Sequence, residues 1–260
     1  MTELYGETVF GADHDLEAMR LDALSRMFDP ATRARLVQIA RPGMRCLDVG
    51  AGLGRISGWL AEVCAQVIAV DRDTRLLADL HKVFPTVQVV EADITEDLAL
   101  GTFDIVHSRL VLMHLRDRVA VFHRLADLVS PGGWLVLGEA VEAPALISPP
   151  QSPFRQLMEK HWRSLETAIG TDGQWGYRYP DLLREAGFVD IGVEMYQPPI
   201  TPSSAAGQFF QLGFHHLRDR ILADGLVDEA TFDEAVKAMR EPGFSDLGMG
   251  LLTAWARKPT

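Results

Sequence analysis

The stretch Cys46-Leu-Asp-Val-Gly-Ala-Gly-Leu-Gly-Arg-Ile-Ser57 decides how this chain is read. An apolar run ends in Asp48, glycines follow at the alternate positions 50, 52 and 54, and a helical pattern begins at once. The order is strand, glycine turn, helix, the arrangement in which a nucleotide-like ligand lies against main chain. Gly50 and Gly52 have no Cβ, so a ligand can come close to the backbone and φ > 0 is open to them. A tight turn that binds nothing is the competing reading, but three alternate glycines weaken a helix start without structural return.

Outward from this turn the pattern alternates. The spacing predicts strands at Met44–Val49, Gln66–Val70, Val87–Val90, Phe103–His107 and Trp134–Leu137, and later at Phe188–Met195 and Leu251–Arg257. Between them lie a helix carrying Ile56, Trp59, Leu60 and Val63, one from Asp73 carrying Leu76, Leu77 and Leu80, and one from Asp117 carrying Val119, Phe122, Leu125 and Val129. Ser130-Pro-Gly-Gly133 reads as a turn. Such alternation predicts an α/β fold, a Rossmann-like, seven-stranded, mostly parallel sheet with helices on both faces. Ligands of these sheets sit at the carboxyl ends of the strands. Asp48, Asp71, Asp93, His107 and Glu139 each fall at or just past a predicted strand end, which points to one site there.

Composition narrows the classes. The 260 residues carry a net charge of −11, and no basic patch stands out to meet nucleic-acid phosphates. Cys46 and Cys64 are too few for a disulfide framework and read as buried thiols of a reducing, cytoplasmic setting. No cysteine–histidine spacing suits zinc, and no metal is expected. Met1-Thr-Glu-Leu-Tyr-Gly-Glu7 has neither a basic start nor an apolar run, so no signal peptide is expected, and no apolar segment is long enough to span a bilayer.

The glycine turn alone does not name its ligand. A nicotinamide or flavin protein would show G-x-G-x-x-G and an acidic residue about 20 positions on. Here the spacing is G-x-G-x-G, and Asp71 suits ribose hydroxyls in either class. Asp48 and Asp93 discriminate. With them the chain resembles the class I S-adenosylmethionine (SAM) dependent methyltransferases. The resemblance rests on Leu47-Asp-Val-Gly-Ala-Gly-Leu-Gly54 and on later matches in the family's order: Val70-Asp71, Glu91-Ala-Asp-Ile94, Phe103-Asp-Ile-Val-His-Ser-Arg109, Leu112-Met-His-Leu115, Ser130-Pro-Gly-Gly-Trp-Leu135 and Leu182-Leu-Arg-Glu-Ala-Gly-Phe188. It covers roughly residues 35–195 and looks closest to the branch acting on small molecules, natural-product and quinone-biosynthesis enzymes among them.

The resemblance implies roles residue by residue. Gly50 and Gly52 let the methionine part of SAM lie on backbone, and Asp48 helps hold its amino end. Asp71 takes the ribose hydroxyls, Arg72 flanks the adenine, Asp93 accepts from the adenine amino group, and Ile94 adds a backbone contact. His107, Ser108 and Leu112 border the sulfonium end. S-adenosylhomocysteine is the implied product. As other readings, Asp48 caps the glycine turn and Asp93 caps the turn after it.

Methyl transfer from SAM needs alignment more than acid–base chemistry, so a base is required only if the acceptor must lose a proton. His107, His114 and Glu139 are the candidates. His114 reads equally as a loop support, and Glu139 as a solvated or arginine-paired carboxylate.

The whole of 1–260 is expected to form one methyltransferase domain. Residues 1–43 give an N-terminal helical lid of two helices, Asp15–Phe28 and one from Pro30 with Leu36, Val37 and Ile39 on one side. Residues 44–142 form the SAM-binding core, 143–178 and 197–250 are insertions capping the substrate, and 179–196 and 251–260 complete the sheet. Tyr5, Phe154, Met158, Trp162, Trp175, Tyr177, Phe210, Phe214 and His215 are the pocket candidates, alternatively the core of the cap itself. The expected partner is a small organic acceptor, methylated on O, N or C with O favoured by base rate, and the expected state is a monomer or homodimer. Cyclisation or rearrangement on the same fold and a nicotinamide oxidoreductase are the competing functions.

Overall fold

The β-branched runs predicted as strands do pair, and their order explains where a ligand can sit. The computed structural model describes residues 14–141, 147–225 and 227–260, so Tyr5 and Phe10 lie outside the described residues. The main sheet comprises β1 (Arg45–Val49), β2 (Gln66–Asp71), β3 (Val87–Glu91), β4 (Phe103–Arg109), β5 (Val129–Val141), β6 (Val189–Tyr196) and β9 (Gly250–Arg257). Their order is β3-β2-β1-β4-β5-β9-β6. The pairs β1–β2, β1–β4, β2–β3 and β4–β5 are parallel. Strand order reverses at β1, so the crevice beyond the carboxyl ends of β1 and β4 is the topological switch point.

By internal contacts the described chain divides into two units. A sheet unit holds 29–140, 174–195 and 251–260, and a helical unit holds the described part of 1–28, together with that of 141–173 and of 196–250. Residues 174–178, read from sequence with the first insertion, group with the sheet unit.

In the sheet unit, α2 (Arg55–Val63) buries Ile56 and Leu60 against Cys46, Val67, Ala69 and Ile105. Burying a leucine or isoleucine in this way is worth about 1.5–3 kcal/mol per side chain. The helix expected after Asp73 is instead a single 3-10 turn, Arg75–Leu77, followed by the short α3 (Leu80–Val83). α4 (Arg118–Asp127) turns Val121, Phe122, Leu125 and Ala126 inward, while Val119 is exposed and Val129 already belongs to β5. The expected turn at 130–133 lies within β5. Phe103 pairs with Val129 but Ile105 with Trp134, so extra residues bulge from β5 there. The bulge is held from outside, Gly132 N donating to Lys258 O at 2.9 Å and Lys258 N to Gly133 O at 2.8 Å.

The N-terminal segment corrects the expectation of two helices. α1 runs unbroken from His14 to Ile39 with Pro30 inside it. Proline removes one main-chain hydrogen bond, and buried residues on both sides of it, Ala23, Met27 and Phe28 before and Leu36 and Ile39 after, outweigh that loss. Met19 and Val37 are exposed and so do not belong to the inward stripe.

The helical unit contains α5 (Pro153–Ile169), α7 (Ala205–Ala223) and α8 (Glu229–Ala238), and α6 (Tyr179–Glu185) belongs to the sheet unit. Ser152, Ser204 and Asp228 cap α5, α7 and α8, accepting from Arg155 N, Gly207 N and Thr231 N. Two-residue strands β7 (Pro199–Ile200) and β8 (Asp246–Leu247) pair antiparallel. They are too short to leave a period in the sequence. The fully buried Asp246 accepts from the backbone N–H groups of Ile147, Ser148 and Leu247 at 2.7–2.9 Å.

Candidate active site

The switch point is built from the residues that end β1, β2, β4 and β5. Asp48 and His107 are register partners on adjacent strands and both are buried. Asp48 Oδ1 lies 2.7 Å from His107 Nδ1, and Asp48 Oδ2 accepts from Ser57 Oγ at 2.5 Å. Burial pushes the Asp48 carboxyl up, but His107 and Ser57 outweigh it and the net shift is downward. An ionised Asp48 requires Nδ1 of His107 to be the donor, which fixes the tautomer. Both carboxylate oxygens of Asp48 are therefore engaged within the protein. His107, a base candidate by sequence, is buried with one ring nitrogen committed.

The glycine turn that follows β1 is cramped at one end and open in the middle. Gly50 has φ +71°, and a Cβ there would meet Val111 Cγ2 at 2.1 Å. Gly52 has φ +56°, and a Cβ there would meet nothing within 4 Å. Gly52 N donates to Asp71 Oδ2 at 2.8 Å, and Asp73 N to Asp71 Oδ1 at 3.1 Å. Burial raises the Asp71 carboxyl above its ordinary range, and these backbone donors only partly offset it. Each carboxylate oxygen offers about two lone-pair sites, and with the Arg72 N–H also directed at the carboxylate some acceptor capacity remains.

Asp93, beyond β3, accepts through Oδ1 from Thr95 N at 2.8 Å and Thr95 Oγ1 at 2.7 Å. The turn cap foreseen as the other reading is thus present, and Oδ2 takes no part in it. Burial opposes ionisation of Asp93, but the Thr95 bonds and the charge of Arg72 draw the carboxyl lower overall. Arg72 is exposed and Ile94 buried.

Past β4 the chain turns sharply. Ser108 is buried and donates to Val49 O at 3.1 Å, tying β4 to β1. Arg109 reaches Asp29 Oδ1 at 2.8 Å and Thr32 Oγ1 at 2.9 Å on α1. Leu110 has φ +60°, rare for a branched side chain, and donates its N–H to Gly138 O. The 3-10 turn Leu112–His114 follows, with Leu112 buried and His114 half-buried.

Glu139 is neither solvated nor paired with an arginine, which corrects that reading. It is buried, its Oε1 accepting from Leu112 N at 2.9 Å and from Tyr179 Oη at 2.7 Å. Burial pushes its carboxyl up to about 8 against those bonds. Tyr179, which sequence reasoning did not single out, is fully buried against Phe122 and Trp175. An aromatic four residues after Trp175 was the only signal for it.

The pocket candidates separate. Phe154, Met158, Phe210 and Phe214 are buried within the helical unit, and Trp162 is half-buried there. Trp175 is buried in the sheet unit between Arg118 and Arg178, Tyr177 in the same unit is exposed, and His215 is exposed on α7. The helical unit instead buries His161, which was not chosen from the sequence. Its ring meets Phe214 edge-on at 5.5 Å and Phe210 at 6.3 Å. Burial, assisted by the charge of Arg20, brings this imidazole down to about 4. Ser164, one helical turn on, is buried too, and neither His161 Nδ1 nor Ser164 Oγ has a hydrogen-bond partner among the described residues.

Among the described residues no group of three or more histidines, cysteines or acids could hold a metal ion, and no helix is long and apolar enough to cross a membrane.

The comparisons with known proteins meet on the same elements. Residues 47–137 match the methyltransferase domain family. Ubiquinone biosynthesis O-methyltransferase of Xanthomonas campestris pv. campestris is 36% identical over 138 residues, 51% of this chain and 53% of the relative. The chain thus spans about half the length of these curated relatives. A methyltransferase structure from Bacillus halodurans, itself of unassigned activity, superposes with a TM-score of 0.57 at 21% identity, covering 87% of this chain and 98% of that one. Phosphoethanolamine N-methyltransferase 2 of Haemonchus contortus, solved with S-adenosylhomocysteine, gives 0.59 at 18% identity over 98% of this chain and 60% of that one. At such identities the two structures speak for the fold alone. Over residues 47–137 the chain is thus similar to the methyltransferase domain family, and its fold is the one that solved methyltransferases share.

Proposed function

We propose that this protein transfers the methyl group of SAM to a small organic acceptor, a specialised metabolite, with oxygen the first atom to test and nitrogen and carbon after it. The observation that carries the proposal is the pairing of Gly52 with Asp71. The turn leaves open space over Gly52 while its N–H fixes the carboxylate that would take the ribose hydroxyls. The residues present suit the cofactor: bare backbone at Gly52, spare acceptor capacity on Asp71, and Oδ2 of Asp93 for the adenine amino group. Arg72 and Ile94 would flank the adenine, and Leu112 the sulfonium end. The O-methyltransferase named among the relatives supports oxygen.

When bound, SAM supplies a methyl group already activated on a cationic sulfur. The protein's own contribution is positioning. Asp48 acts through Ser57 and His107, holding β1, α2 and β4 in register around the turn. Ser108 locks β4 to β1 at Val49. His114, at the end of the 112–114 turn, is our candidate for the base that takes a proton from an O–H or N–H acceptor. The acceptor is proposed to be apolar or aromatic, because Phe154, Phe210 and Phe214 dominate the helical unit. A cytoplasmic setting belongs to the proposal and is supported by the free buried thiols of Cys46 and Cys64.

Calorimetry against SAM and NAD tests the cofactor; tight NAD binding without SAM binding would overturn it. Acceptor screening with detection of one added CH2 and of released S-adenosylhomocysteine tests the reaction. Product without that release would mean rearrangement instead of transfer.

A further inference from the structure

Glu139 is better placed to shape the cofactor side of the site than to act on an acceptor. One of its oxygens serves two donors from two elements, Leu112 N of the 112–114 turn and Tyr179 Oη of α6. The other, Oε2, is buried without a hydrogen-bond partner among the described residues. The segment it grips begins with Leu110 in a left-handed conformation, whose N–H is held by Gly138, the residue before Glu139. The next side chain, Val111, occupies the space a Cβ on Gly50 would need. One carboxyl group thus connects β5 and α6 to the loop that closes over the glycine turn.

We propose that Glu139 is a positioning residue that works as a neutral carboxylic acid, clipping the 110–114 loop against Gly50 and thereby setting the protein's affinity for SAM. This rests on the cofactor assignment above. The surroundings favour the neutral form. The 3-10 turn faces Glu139 with backbone N–H groups, and α6 faces it with Tyr179, which is itself pushed well above its ordinary range by burial and by Glu139. Arg118 and Arg178 lie over the Trp175 ring. Ionisation would leave a buried charge with only neutral donors, a state favouring entry of water and loosening of the loop. With the carboxyl pushed up to about 8 by burial, the clip holds at neutral pH and releases above it.

The test compares Glu139→Gln, Glu139→Leu and Tyr179→Phe with the unaltered chain from pH 6 to pH 9.5. Amide hydrogen exchange of the peptide containing Leu112, corrected for intrinsic rates, reports the loop without any cofactor. S-adenosylhomocysteine titration reports the site. The unaltered chain should lose protection at least tenfold above pH 8. Glu139→Gln, which copies the neutral acid, should keep protection throughout and bind within threefold of the unaltered chain at pH 7. Glu139→Leu should be unprotected at every pH and bind at least tenfold more weakly. Tyr179→Phe removes a donor that favours ionisation, so its transition should move to higher pH; this variant decides the matter if Glu139→Leu does not fold. Protection in Glu139→Gln that falls with pH as in the unaltered chain, or is as low as in Glu139→Leu, overturns the proposal. Failure of the unaltered chain to bind S-adenosylhomocysteine would overturn the cofactor assignment, while the exchange data would still judge the loop.

Discussion

The two units bury polar side chains under different terms. In the sheet unit the polar residues at the strand ends are tied into the fold. Asp48 serves Ser57 and His107, Ser108 serves Val49, and Asp71 serves Gly52 and Asp73. In the helical unit, His161 is buried against Phe210 and Phe214 and Ser164 is buried one turn on, and among the described residues His161 Nδ1 and Ser164 Oγ have no hydrogen-bond partner. Polar networks of the first kind fix one geometry, whereas an unpartnered buried polar group is a cost the rest of the unit must offset. The strand ends of the sheet unit are accordingly preorganised, while the described side chains of the helical unit leave polar atoms of their own unsatisfied.

The comparison can be broken most decisively at Asp71. Asp71→Ala removes the acceptor of Gly52 and the proposed ribose ligand together. Hydrogen bonds to a charged group are worth roughly 1.5–3 kcal/mol each, so S-adenosylhomocysteine affinity measured by calorimetry should fall by about a hundredfold or more. Unchanged affinity would place the ribose elsewhere. Next comes His161. Its folded value is depressed to about 4, so its contribution is present above the ordinary histidine range and is lost as pH falls from there through about 4. Over that window it should cost on the order of 3 kcal/mol of stability. His161→Leu should abolish this part of the acid slope in denaturant unfolding, and a slope unaltered by the substitution would mean that the imidazole is not buried neutral.

Glu139, in the sheet unit, also keeps a buried oxygen without a partner among the described residues, and its slope has the opposite sign. Its folded value is raised, so its contribution is full below the ordinary carboxylate range and is lost as pH rises through about 8. Glu139→Gln should flatten the decline of stability between the ordinary carboxylate range and about pH 8 by about 1–3 kcal/mol, since a buried group relaxes more than a rigid site would. Equal declines over that window in the two proteins would refute this. The smallest effect belongs to His215, which is exposed. His215→Ala should leave thermal unfolding within about 0.5 kcal/mol of the unaltered chain, and a large loss of acceptor turnover in that variant would restore it as a site residue.

The sheet unit was legible because its signals are local. Glycines at 50, 52 and 54 and acids at strand ends sit a few residues from the elements they terminate, and a parallel sheet converts that spacing into one crevice. Pro30 was misread because packing along α1 outweighs one lost hydrogen bond, which no local rule records. Tyr179 and His161 were passed over for a related reason. Tyr179 matters only because Glu139, 40 positions earlier, points at it, and His161 only because α7 brings Phe210 and Phe214 to its ring. Trp175 was assigned to the cap by its neighbours in sequence, while its neighbours in space are Tyr179, Arg118 and Arg178.

The glycine turn has a consequence for how such chains vary. One short motif holds three unrelated constraints: Gly50 yields space to Val111, Gly54 yields it to Leu77 and Leu80, and Gly52 yields it to nothing in the protein. All three also hold φ between +56° and +71°, a left-handed conformation that any side chain would strain whatever the space around it. At Gly52 that backbone conformation is the constraint found among the described residues, and the space above it is what the proposed cofactor would fill.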